Sequence, residues 1–502
     1  MSNQEKQHER KFAMKHRPTR MLCALLACLM LLGSAASLFG CASSSEQETT
    51  AAADNASSTS EEVVETSTEY NPNIEKKNYN TTFNVITGGF NKELLFIDDE
   101  SRRDGNSLDE AIYERGALIK DHLGVEWVIA DAGSWTEYSG KVKATVNTGD
   151  DAYQLVLTYV YQGITDLITS NCLMSFSDLP AFNMDAPYWN SNLMEDLRIE
   201  GKYLLGYSDF LLAKTHCVVF NKDTLRDYQL EEPYALVNNK TWTVDKLFEM
   251  ASAVSRDNGD GTWTVDDYYG ISGWRWVPLI SLITSCDMKI VDKDAETGKY
   301  YVAYDDYTKK LSTLVDKVSA MCKAEYSYMW PATNYTALDF SNGHSLFQLL
   351  DTKNLQNLAA QDVRFGVLPY PLYDEAQEEY RSLNWNGMMT VPASVANNGD
   401  PDMVGEVLEL LAYYSDGVKT AFYELQLGAK VAEAQEDADM LDIIWDSIVS
   451  DVGLICCASS SGMEALVYML PRLCSGEKTN LTSFIKSNRR KAQNGLDDVF
   501  GQ

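Results

Sequence analysis

Positive charge is scarce in this 502-residue chain: 42 Lys and Arg stand against 73 Asp and Glu, for a net charge of −31. Such a polyanion repels a phosphate backbone, which argues against nucleic acid as a partner. Histidine is nearly absent, with five residues, and His8 and His16 precede the segment read below as a leader. The other three, His122, His216 and His344, form no H-E-x-x-H, and the chain has no G-x-S-x-G, Walker loop or G-x-G-x-x-G. No catalytic residue, metal or cofactor is therefore assigned. A glycosidase pair cannot be picked out either, because among so many carboxylates some two will lie roughly 5 Å apart by chance. None of the ten cysteines stands in a C-x-x-C, which argues against a zinc site and against a full disulfide framework. Adjacent Cys456 and Cys457 read as part of a buried helix start, since neighbouring cysteines rarely bridge.

One long oily run is present. Arg17 and Arg20 precede Met21–Leu38, apolar and broken only by small residues, which reads as a signal peptide over residues 1–40. Its end, Leu38-Phe39-Gly40-Cys41, resembles a bacterial lipobox, so Cys41 is the expected lipidated first residue, tethering the chain to the outer face of the cell membrane. Leu25-Leu26-Ala27-Cys28 is a rival with a short apolar region, and an uncleaved anchor helix is a third reading. From Ala42 to about Tyr70 the chain is Ser, Thr, Ala and Glu with almost nothing to bury, so residues 41–75 are expected to form a disordered tether. Loss of residues 1–40, with six Lys/Arg and two Asp/Glu, leaves the rest more acidic still, as suits solubility on a crowded surface. Seven cysteines would remain beyond Cys41, with buried free thiols as the expectation.

The remaining stretch of about 420 residues is long for one core and suits two. Thr81–Thr87 alternates and meets Gly88-Gly89, a strand running into a loop. Ser107-Leu108-Asp109-Glu110 is a capping box, and Ile112, Gly116, Ile119 and Leu123 follow at helical spacing up to Gly124. Val125–Ala130 and Tyr153–Leu157 read as the next strands, so the order is that of a parallel α/β sheet. Thr243 and Asp400 cap two later helices, the second with Pro401 at its first position. Asp257-Asn258-Gly259-Asp260-Gly261 looks like a calcium loop, but the aligned first position holds Arg256, so a structural turn is the better reading.

Six segments in order resemble the extracellular solute-binding lipoproteins of sugar-type ABC importers, particularly those of Gram-positive gut bacteria. They are Thr148–Val156, Gly201-Lys202-Tyr203, Val219–Asp223, Lys240–Leu247, Phe365–Pro371 with Asp374–Gln377, and Met440–Ile444. The resemblance implies an α/β, two-lobed periplasmic-binding-protein-like fold of type II, with a hinge and an interlobe cleft. Lobe one would be 76–203 plus 388–430 and lobe two 204–387 plus 431–502, with crossovers near Gly201–Gly206 and Asn384–Thr390. A sugar needs flat aromatic rings for its C–H faces and polar groups for its hydroxyls. The candidates are Tyr159 and Tyr161 on the loop after the third strand, then Asp209, Trp274, Arg275, Trp276, Asn384 and Trp385. Both tryptophans of Trp274-Arg275-Trp276 would share a face if that segment stays extended. Where many relatives carry a tryptophan in a loop, this chain has Gly343-His344-Ser345-Leu346-Phe347.

The expected function is a non-enzymatic, monomeric receptor that captures a sugar or oligosaccharide and hands it to ABC permease subunits. A secreted carbohydrate-active hydrolase and a sensor-type binding protein without transport are the alternatives.

Overall fold

A computed structural model describes residues 70–88, 107–134, 137–161, 163–212, 215–330, 338, 340–385, 387–427, 435–476 and 480–502. The expected leader, Cys41 and nearly all of the tether lie outside these residues, as do Gly89 and Asn386. From Glu69 to Gln502 the chain is one compact unit.

Fourteen strands are described. In the first part of the chain they are β1 (Thr81–Thr87), β2 (Val125–Asp131), β3 (Leu155–Tyr159) and β4 (Leu173–Met174). There follow β5 (His216–Asn221), β6 (Tyr269–Trp274), β7 (Val291–Lys293), β8 (Tyr300–Val302), β9 (Ser327–Trp330), β10 (Ser345–Asp351) and β11 (Phe365–Leu368). The last are β12 (Ser382–Leu383), β13 (Gly387–Pro392) and β14 (Ile448–Val449). The helices used below are α1 (Ser107–Leu123), α2 (Val244–Ser252), α3 (Val277–Ser285), α4 (Thr308–Met321), α5 (Pro401–Tyr413), α6 (Asp416–Leu427), α7 (Gln435–Asp446), α8 (Met469–Cys474) and α9 (Leu481–Phe500).

Two five-stranded sheets carry the fold, ordered β2-β1-β3-β13-β4 and β11-β5-β10-β6-β9. The first is parallel through β1, β2 and β3, as the strand–helix–strand order predicts, and β13 closes on β3 antiparallel. Gly124, at φ +65°, ends α1 and releases the chain into β2. β3 starts two residues later than the alternation suggests. Gln154 explains the shift, because its amide Oε1 accepts from Asn84 N at 2.8 Å and its own backbone N–H reaches Asn84 O, so a side chain stands in for the first rung of the ladder.

The chain crosses from the first sheet to the second between Met174 and His216 and returns between Leu368 and Gly387. The two connections run side by side. Gly206 and Met389 exchange both backbone hydrogen bonds, at 2.8 and 3.0 Å. Only glycine fits there, since a Cβ at position 206 would lie 2.5 Å from the Phe176 ring and 2.9 Å from Met389. A third connection joins them, because β14 pairs with β12 and Asn384 N donates to Val449 O at 2.8 Å.

The caps read from sequence are in place: Thr243 Oγ1 accepts from Lys246 N and Asp400 Oδ1 from Met403 N. Around Asp257–Asp267 the carboxylates accept backbone amides, Asp257 from Gly259 and Asp260, Asp267 from Asn258 and Thr264, and so hold a turn. Two sequence expectations are corrected. Gly343–Phe347 is not a loop throughout: Ser345 begins β10, and Phe347 is fully buried against Trp242, ring centroids 5.7 Å apart. Trp274-Arg275-Trp276 does not stay extended, because β6 stops at Trp274 and Trp276, at φ −143° and ψ −105°, turns the chain into α3.

Candidate functional site

Strand register builds the first half of the site. Gly387 of β13 lies opposite Tyr159 of β3, so residues arriving just before β13 meet residues leaving just after β3. That places Trp385 flat on Tyr161, ring centroids 4.9 Å apart and 20° from parallel, while Tyr159 leans on Tyr161 at 6.0 Å and 56°. All three are half-buried, held by packing yet still touching solvent. Burial raises the pKa of both phenols, with each other's charge adding to it for Tyr161, so they remain neutral hydroxyls able to donate and accept.

The second half comes from the other sheet. Trp276 stacks on Tyr468, the residue that opens α8, at 4.7 Å and 21°. Trp274 keeps its indole N–H buried with no acceptor among the described residues. The phenol of Tyr468 is raised first by burial, then by Cys457 and Tyr161, and Cys457 acts on Tyr161 in turn. The two stacks therefore share a neighbourhood. A bond from Thr165 Oγ1 to Ile455 O, 2.6 Å, holds the C-terminal segment against the helix that follows Tyr161.

Two other expected residues sit elsewhere. Asp209 opens a single 3-10 turn, accepts from Trp445 Nε1 at 2.8 Å and faces Lys419 at 3.8 Å. Burial raises its pKa, with Lys419 and Trp445 opposing. Lys419 also lies over the Trp445 ring at 5.0 Å, so this is a separate cluster between the first crossing segment, α6 and α7. Asn384 is 1% exposed among the crossing segments, its Nδ2 3.3 Å from Met388 Sδ. Arg275 is half-buried, its backbone bonded to Trp330 O.

Tyr468 escaped the sequence reading. It lies between two helices of the C-terminal region, far in sequence from Trp276, and no local pattern marks it. Two surface cavities, about 610 Å³ beside Leu311, Ile485 and Arg489 and about 710 Å³ beside Tyr307, Tyr373 and Arg381, share no residue with the aromatic set. Among the described residues no group of three or more His, Cys, Asp or Glu could hold a metal ion, and no helix is long and apolar enough to cross a membrane.

Paired flat rings, neutral hydroxyls and a free indole N–H lie near the junction of two α/β sheets, a place where solutes bind in folds of this kind. Residues 117–416 match the family model of the bacterial extracellular solute-binding protein, and the chain belongs to that family, whose members face outward. The fold is the type II fold of such proteins. The cyclic α-maltosyl-1,6-maltose binding protein of Arthrobacter globiformis is similar at TM-score 0.55 and 11% identity, over 83% of this chain and 99% of that one. A sugar transporter protein of Rhizobium etli in an open conformation gives TM-score 0.54 and 15% identity, over 83% and 99%. An ABC substrate-binding protein of Listeria monocytogenes in complex with cycloalternan gives 0.52 and 11%, over 84% and 99%. At these identities the likeness is one of fold alone. No curated protein matches the chain.

Proposed function

We propose that this protein captures a carbohydrate, a sugar or short oligosaccharide, and delivers it to an ABC permease. The observation that carries this reading is the Tyr161–Trp385 stack, hung from the first sheet, sharing its surroundings with the Trp276–Tyr468 stack of the second. Aromatic faces take the C–H faces of a pyranose, and the phenols and the Trp274 N–H take its hydroxyls. The solved relatives that bind cycloalternan and cyclic maltosyl-maltose support the same cargo class.

In this reading lobe one is 76–203 plus 388–430, lobe two is 204–387 plus 431–502, and the Gly206–Met389 pair belongs to the hinge. Contacts to both lobes at once favour the closed form. The lipid on Cys41 keeps a monomeric receptor beside its permease, and no step changes the cargo chemically.

A carbohydrate panel read by thermal shift tests it. The bound sugar adds about 2.7 kcal/mol of stability at a hundred times its dissociation constant, and so raises the melting point. If no carbohydrate moves the melting point while a peptide or polyamine does, the cargo assignment is wrong.

A further inference from the structure

α4 runs directly into Cys322, which is half-buried, and α8 ends at Cys474, which is 5% exposed. Ser319 stands one turn before Cys322 on the same helix face, and its Oγ is 3.7 Å from Cys474 Sγ, so Cys474 lies against the face that Cys322 completes. The two thiols act on each other directly, with the cations of Arg275 and Lys323 near both. Cys322 lowers the Cys474 thiol from its ordinary range against burial, with Ser319 adding to it, while the same pairing pushes the Cys322 thiol up, so Cys474 is the more readily ionised of the two. The other thiols are differently placed: Cys217, Cys286 and Cys456 are fully buried and pushed up by burial, and Cys456 and Cys457 are chain neighbours.

We propose that Cys322 and Cys474 are a modification site, closing to a disulfide when the exported protein meets an oxidised thiol, a small molecule of the form X–S–S–X. The half-buried edge of Cys322 is where such a reagent reaches the pair. One thiol of the pair gives up its proton, attacks one sulfur as the thiolate and releases XS⁻, leaving a mixed disulfide. The second protein sulfur gives up its proton, attacks the mixed disulfide and releases another XS⁻. Two protein thiols are oxidised, one external disulfide is reduced to two XSH, and the protons balance. An outward-facing protein works where such bonds persist. The bond fastens α8 to α4, and α8 begins one residue after Tyr468, so the site's C-terminal half is fixed to the body of the second sheet.

The test is a non-reducing peptide map of the full chain after oxidised glutathione, with free thiols alkylated. A linked peptide containing Cys322 and Cys474, lighter by two hydrogens than its separate parts, together with a higher melting point than the reduced protein, is the expected result. Cys322→Ser and Cys474→Ser should each lose the link and the rise in melting point. Alkylation of both cysteines under conditions that fully oxidise a small dithiol, or a link joining other cysteines in their place, would overturn the proposal. The map of the unaltered chain decides this even if one variant fails to fold.

Discussion

Asp451 is buried, and its carboxylate accepts Ile290 N at 2.7 Å through Oδ2 and Gly453 N at 2.6 Å and Val291 N at 3.3 Å through Oδ1. It is thus the joint between the segment leading into β7 and the C-terminal segment that carries Tyr468. Burial dominates its ionisation and pushes the pKa up from 3.8 to about 6, against the three N–H groups and Lys289, which favour the anion. A native pKa above the unfolded one means that the folded state binds the proton more tightly between those values. Stability contributed by this group is therefore fully present in acid and is lost as pH rises from about 4 to about 6. The shift of roughly two units corresponds to about 3 kcal/mol.

Asp451→Asn separates this term from every other carboxylate. The amide cannot titrate, its oxygen keeps the bonds to Gly453 and Val291, and its NH₂ meets the Ile290 N–H donor to donor, which costs about 1–3 kcal/mol at any pH. Denaturant unfolding at pH 4, 5, 6 and 7 should show the variant much weaker than the unaltered chain in acid, the gap narrowing by about 2–3 kcal/mol by pH 7. Other carboxylates titrate alike in both proteins and cancel. A gap that stays constant within about 0.5 kcal/mol, the usual additivity error, would refute the assignment of a raised pKa to Asp451.

Three further outcomes are expected. Trp385→Ala removes one ring of the Tyr161 stack and should weaken binding of the sugar found by thermal shift by about 10- to 100-fold, while Trp385→Phe loses much less; isothermal calorimetry showing equal affinity for the alanine variant would remove Trp385 from the site. Gly206→Ala drives a methyl into Phe176 and Met389 where two crossing segments exchange hydrogen bonds, and should cost about 1–3 kcal/mol in denaturant unfolding; an unchanged midpoint would show that the segments part freely. Cys41→Ser should move the protein from the membrane fraction to the medium, and retention at the membrane with an intact leader would favour the uncleaved anchor over the lipid.

How much of this was legible in the chain depends on how far each determinant reaches. A cap acts across three residues, so Thr243 and Asp400 announce α2 and α5, and Gly124 announces the end of α1. Register within a sheet reaches further but still follows alternation, and it fails by two residues at β3 only because Gln154 substitutes a side-chain bond for a backbone one. Tyr159, Tyr161 and Trp385 could be named because both their segments flank strands and a crossover that the sequence marks, although their stacking rests on the pairing of Gly387 with Tyr159. Trp276 could be named as an aromatic after a strand, but not its partner. An extended strand would have shared its face with Trp274, whereas the chain turns at that point and sends Trp276 onto Tyr468. Asp209, polar and close to a crossover, invites a ligand role by composition, yet the structure gives its carboxylate an indole and an ammonium as partners. Tyr468 is the limiting case, for it is a half-buried tyrosine among 28, and its stack exists only because the chain returns from the first sheet to lay its C-terminal helices over α3. A surface assembled from two sheets inherits its geometry from the connections between them, and those are fixed by contacts such as Gly206 against Phe176 that carry no period in the sequence.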